Sequence, residues 1–262
     1  MAQQKGIIKL KGTIGDITFY KSQDGFLARE KGGVDADRIA SDPSFQRTRE
    51  NGSEFGAAGK AGKMLRTALQ ALLQNTSDNR VVSRLTQGMV KVIKADLTSV
   101  RGKRNVIDGE AELLESFEFN IRCKLGTTLF APFTAVIDRV AGTLTVNIPS
   151  FIPGSMVEAP MGSTHFKLTS AGAAVDFENK TFEVDTSETD QVALNSKIST
   201  VINLRNTIEV NSKHSLFLVL GIEFYREKNG VIYPFRDKKY NTLAFVKVKN
   251  KMTHAEWSND EW

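Results

Sequence analysis

The apolar residues of this chain change period once, and that change divides the foldable sequence. From Phe55 the positions Phe55, Ala58, Gly62, Leu65, Leu69 and Leu72 step by three and four, which marks one face of an α-helix. After Asn75-Thr76-Ser77-Asp78, a break with a fresh N-cap, Val82, Leu85, Met89 and Val92 or Ile93 mark a second helix. So short a break predicts an antiparallel helical hairpin. From Ser116 the alternation becomes strict: Phe117, Phe119, Ile121 and Cys123 interleave with Glu118, Asn120 and Arg122.

Turn-separated strands follow. Thr134–Val140 and Thr143–Ile148 flank Ala141-Gly142; Ala173–Phe177 and Thr181–Val184 flank Glu178-Asn179-Lys180. Further strands are expected over 164–169, 199–204, 215–226, 231–236 and 242–248, with Asn229-Gly230 as a type I′ signal. Pro149, Pro153 and Pro160 mark a long surface connection. The pattern predicts a C-terminal antiparallel β-sandwich, with an immunoglobulin-like arrangement as the specific form.

The N-terminal segment is of a third kind. Ile7–Leu10, Ile17–Lys21 and Phe26–Lys31 read as short strands, the last two joined by a hairpin centred on Asp24-Gly25. Their alternation gives an apolar face and a polar, cationic one. A sheet this small is marginal alone and needs something to lie against. Asp42-Pro43 supplies the N-cap and first position of a helix.

Charge follows the same division. The chain is +5 overall, but residues 1–110 hold 19 Lys and Arg against 12 Asp and Glu, and residues 111–262 hold 16 against 18, so +7 precedes −2. Half of the 20 glycines fall in the first 62 residues. These shifts predict a basic module over 1–110, a sandwich over 111–250 and a tail over 251–262, in which Trp257, Asp260, Glu261 and Trp262 have no partner in the pattern. With 40% hydrophobic residues the chain can build a core, so a natively disordered polypeptide is excluded. No apolar run is long enough to span a membrane. One cysteine, Cys123, leaves no intrachain disulfide. The N-terminus lacks the apolar region of a secretory signal, so a reducing cytoplasm is the default location. Release in a particle or non-classical export are the other routes.

Signatures of catalysis are missing. Around Gly56–Met64 the phosphate-loop pattern fails, because Ala57 stands where its first glycine belongs and Met64 where Ser or Thr would bind magnesium. No G-x-S-x-G occurs. Cys123 sits on an apolar strand face, where a buried, inert thiol is usual. His165, His214 and His254 are too scattered for a zinc site. The acidic group Glu178, Glu183, Asp185, Glu188 and Asp190 lacks EF-hand spacing and reads as a solvated loop. No enzymatic role and no cofactor is expected.

Two interaction readings remain. Lys60, Lys63, Arg84, Lys91 and Lys94 lie on the outer faces of the two helices, where they could track nucleic-acid phosphates. Interleaved carboxylates and the lack of a base-reading motif weigh against that. The favoured reading is a structural protein that self-associates into an oligomer or larger assembly through its N-terminal module. Its contacts are expected at Ile17, Phe19, Tyr20 and Phe26 of the hairpin and at Gly59 and Gly62, where small residues let another backbone approach.

The segment Lys11-Gly-Thr-Ile-Gly-Asp-Ile-Thr-Phe-Tyr-Lys21, then Phe26–Gly33 and Pro43–Gly52, resembles a group of bacterial proteins of unknown function. The likeness continues through Asn179 and Gly221–Tyr225. A Gly-rich hairpin before a Pro/Gln/Arg helix start is also similar, over the first quarter, to phage-associated hypothetical proteins. Neither resemblance implies an activity, cofactor or site residue.

Overall fold

Helices and antiparallel sheets make up the chain, which is an α+β protein. The computed structural model describes residues 2–30, 33–76 and 78–252. Ser77 of the expected helix break, Lys31 and Gly32, and the tail with His254, Trp257, Asp260, Glu261 and Trp262 lie outside the described residues. The chain divides into two compact units, Met1–Glu50 and Asn51–Trp262. The expected boundary near residue 110 is therefore corrected: the helices that follow residue 50 share a core with the C-terminal sheet.

In the first unit, β1 (Ala2–Gln3), β2 (Gly12–Ile14), β3 (Ile17–Ser22) and β4 (Gly25–Glu30) form one antiparallel sheet in the order β1-β4-β3-β2. The β3–β4 turn differs from the expectation. Ser22 pairs with Gly25, so Gln23 and Asp24 form the turn, and Gly25, at φ +106°, re-enters the strand. The Ser22 hydroxyl accepts from the Asp24 amide at 3.0 Å, which fixes this offset. A short helix unmarked by periodicity follows, α1 (Ala36–Ser41), whose N-cap Asp35 accepts from the Asp37 amide. The Asp42-Pro43 signal opens a single 3-10 turn, Pro43–Phe45, with Asp42 accepting from the Ser44 amide.

The helical hairpin is interrupted earlier than the sequence indicates. α2 (Gln46–Ala68) ends one residue before α3 (Gln70–Thr76), and α4 (Val81–Lys94) then returns. The buried face is Ala58, Ala61, Gly62, Leu65, Leu69 and Leu73; Phe55 is 62% exposed, and Glu54 is buried in its place. The Glu54 carboxylate accepts from the Gly102 amide at 2.8 Å, which satisfies it inside. On α4, Val81 points inward and Val82 outward.

After α4, two very short helices, α5 (Leu125–Thr128) and α6 (Pro153–Met156), punctuate the strands. These are β5 (Thr134–Asp138), β6 (Thr143–Ile148), β7 (His165–Asp176), β8 (Thr181–Glu188), β9 (Val192–Ala193), β10 (Ile202–Thr207), β11 (Ser215–Lys228), β12 (Val231–Pro234) and β13 (Thr242–Lys249). The expected strands at 164–169 and 173–177 are one strand, β7. The alternating stretch from Phe117 forms no strand; a single bridge joins Glu118 to Ala244. Asn229 and Gly230, both at positive φ, make the predicted two-residue turn between β11 and β12.

Strand β11 organises the second unit. β7 pairs along one edge, while β13 and β12 share the other. Its run Ser215–Ile222 is buried throughout, with no alternation, because both faces of the sheet are covered. Phe217 and Val219, with Ala171, Ala173 and Phe245, meet α2–α4. Leu216, Leu218 and Leu220 meet Leu144, Val146 and Leu204 of the three-stranded sheet β10-β6-β5. Two sheets thus face one another, and helices cover the six-stranded one from behind. This is three layers, unlike an immunoglobulin-type pair of sheets with two solvated outer faces. Between the sheets, Asn206 accepts from the Ser170 hydroxyl at 2.7 Å and donates to the Asp185 carbonyl at 3.1 Å.

Candidate interaction surfaces

Strand register decides which hairpin residues act together. Side chains opposite one another in an antiparallel pair project to one face. Ile17 lies opposite Ile14 and Glu30, Phe19 opposite Ala28, and Phe26 opposite Lys21. Ile14, Ile17, Phe19, Phe26 and Ala28 therefore share a face. Tyr20 lies opposite Leu27 on the other face, with the Arg29 guanidinium 5.6 Å from its ring. So three of the four expected hairpin contacts come together, and Tyr20 does not join them. The sheet that carries them is thinly covered: no described residue from 2 to 50 is buried, and Ile14 is 62% exposed.

The two helix glycines part company. Gly62 is buried, and a Cβ there would lie 3.6 Å from Leu85, 3.7 Å from Met89 and 3.8 Å from the Thr86 amide. Its close approach is made to α4 of the same chain, which corrects its assignment as an intermolecular contact. Gly59, one turn earlier, faces open space.

Of the cations, Lys60, Lys63, Lys91 and Lys94 are exposed. Arg84 is not part of a solvent-facing row, a second correction. Its guanidinium donates to the Glu118 carbonyl at 2.6 Å and the Phe119 carbonyl at 3.1 Å, and pairs with Asp78 at 2.5 Å. It also stacks 5.1 Å from the Phe117 ring. Burial pushes the Asp78 carboxyl up, but amide donation from Ile121 and Arg80, with Arg84 beside it, holds it below the usual range. This cluster clamps residues 117–121 to α4. The basic run Arg101–Arg104 is likewise tied back, with Arg101 donating to Asn51 and Arg104 lying 3.9 Å from Glu54.

The Cys123 thiol lies 3.2 Å from the Thr128 hydroxyl, and burial raises its pKa. His165 begins β7; His214 lies 3.8 Å from Asp176. Within the acidic group, Asp185 accepts from the Thr207 amide, Glu183 from the Glu209 amide, and Glu188 pairs with Lys167, so these carboxylates join strand edges. Among the described residues no three His, Cys, Asp or Glu cluster as metal ligands, and no helix is long and apolar enough to cross a membrane.

One concave surface had no sequence signal. Beside α2, a groove of about 470 Å³ has Ala57, Ala61, Met64, Val106, Phe177 and Phe182 in its walls, with Lys60, Lys63 and Lys180 at the same surface. Its parts come from three separated stretches, so only the folded chain assembles it. Comparison with family models, curated proteins and solved structures finds no match to this chain.

Proposed function

We propose that this chain is a non-enzymatic structural protein that self-associates through the apolar face of its N-terminal sheet. One observation carries the reading: a four-stranded sheet presents Ile14, Ile17, Phe19 and Phe26 on one face, yet its unit buries none of its described residues. A folded sheet normally gains its stability by covering such a face. A second copy offers the same face in return, which is the geometry of a two-fold interface. The short edge strands β1 and β2 leave backbone groups of β3 and β4 available for pairing between copies.

Size-exclusion chromatography with light scattering tests this. The expected mass is a multiple of 29.0 kDa at low and high salt, falling to one chain in Phe19→Asp. A wild-type monomer in both salts overturns the proposal. Nucleic-acid binding is the second reading, favoured by Lys60, Lys63, Lys91 and Lys94, which are exposed and in no salt bridge among the described residues. It predicts a gel shift that weakens steeply with salt and is lost when these lysines become glutamate.

A further inference from the structure

Positive charge in the second unit gathers at one hairpin. Residues 111–262 are −2 overall, yet residues 226–239 hold five Lys and Arg against two Asp and Glu. This stretch is the end of β11, the Asn229-Gly230 turn, β12 and the loop that follows. Arg226 lies opposite Tyr233, and Lys228 opposite Val231, so these four side chains project to one face. Glu227, opposite Ile232, projects to the other. Arg226, Lys228, Tyr233, Phe235 and Arg236 line a cleft of about 670 Å³, within the usual range for ligand sites. Its one carboxylate, Asp237, is taken by Lys239 at 2.6 Å. Arg226, Lys228 and Arg236 are exposed and enter no salt bridge among the described residues. Tyr233 is 53% exposed beside them. The wall is held in place, since the Phe235 amide donates to the Phe224 carbonyl at 2.8 Å and Lys238 ties the following loop to Asn75 at 2.7 Å.

We infer that this cleft binds single-stranded nucleic acid. A base stacks on the exposed ring of Tyr233, and the adjoining phosphates meet Arg226, Lys228 and Arg236. Cations alone suit any polyanion, but an exposed aromatic face among them is matched by a planar group that carries negative charge. The bases must be unpaired, because a duplex keeps their faces stacked inside itself. A concave wall also suits a strand better than a flat lipid surface. The inference uses neither the N-terminal sheet nor the lysines of α2 and α4.

Fluorescence anisotropy with a labelled oligothymidylate tests it. The wild type is expected to bind the strand at low salt, more tightly than a duplex of equal length and far more tightly than thymidine monophosphate, with affinity falling as salt rises. Tyr233→Ala is expected to weaken binding about tenfold or more, and Tyr233→Phe to bind as the wild type does, because the ring and not the hydroxyl stacks. In Arg226→Ala/Lys228→Ala/Arg236→Ala the salt dependence flattens. Unchanged far-ultraviolet circular dichroism accompanies each of these surface changes. Lys60→Gln/Lys63→Gln/Lys91→Gln/Lys94→Gln keeps the Tyr233-dependent binding, which separates this cleft from the helix faces. A wild type that does not bind, a duplex bound equally well, or Tyr233→Ala binding undiminished overturns the inference. So does loss of binding in the lysine variant, which moves the site to the helices. Equal affinity for thymidine monophosphate also overturns it, in favour of a free nucleotide, as does displacement of the strand by phosphatidylserine vesicles, in favour of a lipid surface.

Discussion

Asp96 follows α4 and organises the loop after it. It is buried, and its carboxylate accepts from the amides of Thr98 and Ser99, the Thr98 hydroxyl and, at 3.2 Å, the Asn105 amide. Burial alone raises its pKa, but these donors outweigh it and hold the carboxyl well below the usual range. A carboxyl depressed in the folded state stabilises it above the unfolded value, near 4, and that stability is lost as pH falls toward the folded value. Asp96→Asn is therefore expected to cost about 2 kcal/mol at neutral pH, with the deficit shrinking at about pH 3. Urea titration at the two pH values checks this; an equal deficit at both contradicts it. Such residues were hidden in the sequence. Arg84 read as one more surface cation because its partners, Asp78 and the carbonyls of residues 118 and 119, are set by a chain reversal that no local pattern encodes. Phe55 misled in the other direction: the helical period admitted it, while Glu54 took the buried position through a hydrogen bond from Gly102.

Elements were more legible, since periodicity reports burial directly. Most of the α2 and α4 faces, the β5–β6 pair and the Asn229-Gly230 turn follow from spacing and turn chemistry, with Phe55 and Val82 as the exceptions. The failures are instructive in the same terms. Residues 117–123 alternate as a strand would, yet Phe119 packs inside while Ile121 is 52% exposed, and pairing with β13 stops after Phe119, whose carbonyl accepts from Arg84. β7 reads as two strands in the sequence because its centre, Ser170-Ala-Gly-Ala-Ala, carries little bulk. That economy is structural. A Cβ on Gly172 would lie 2.9 Å from Asn206 Cβ and 3.3 Å from Leu144. Here the two sheets approach too closely for a larger residue. Gly172→Val is predicted to destabilise by about 3 kcal/mol, through overpacking and displacement of Asn206 from Ser170. A urea midpoint unchanged from wild type refutes it.

At the scale of the whole molecule, the charge and glycine shifts near residue 110 do not coincide with the division at residue 50, because helical surface charge and helical core membership are independent properties. The division at residue 50 separates a sheet without buried residues from a three-layered body. Amides of residues 12–30 should accordingly exchange with deuterium by local opening, much faster than those of β11, which require global unfolding. Comparable protection in both, with the protein held monomeric, would contradict this. The groove beside α2 was invisible at every shorter range, since residues 57–67, 105–107 and 177–182 meet only in the finished fold. Strand β11 has a further consequence, in the order of synthesis. The apolar stripe of α2–α4 leaves the ribosome complete, but the sheet residues Phe217, Val219 and Phe245 that join its core follow more than a hundred residues later. At ordinary elongation rates that gap lasts on the order of ten seconds. Throughout it the helical hairpin lacks its sheet and has only nearer residues such as Ala111, Leu114 and Phe119 to cover it.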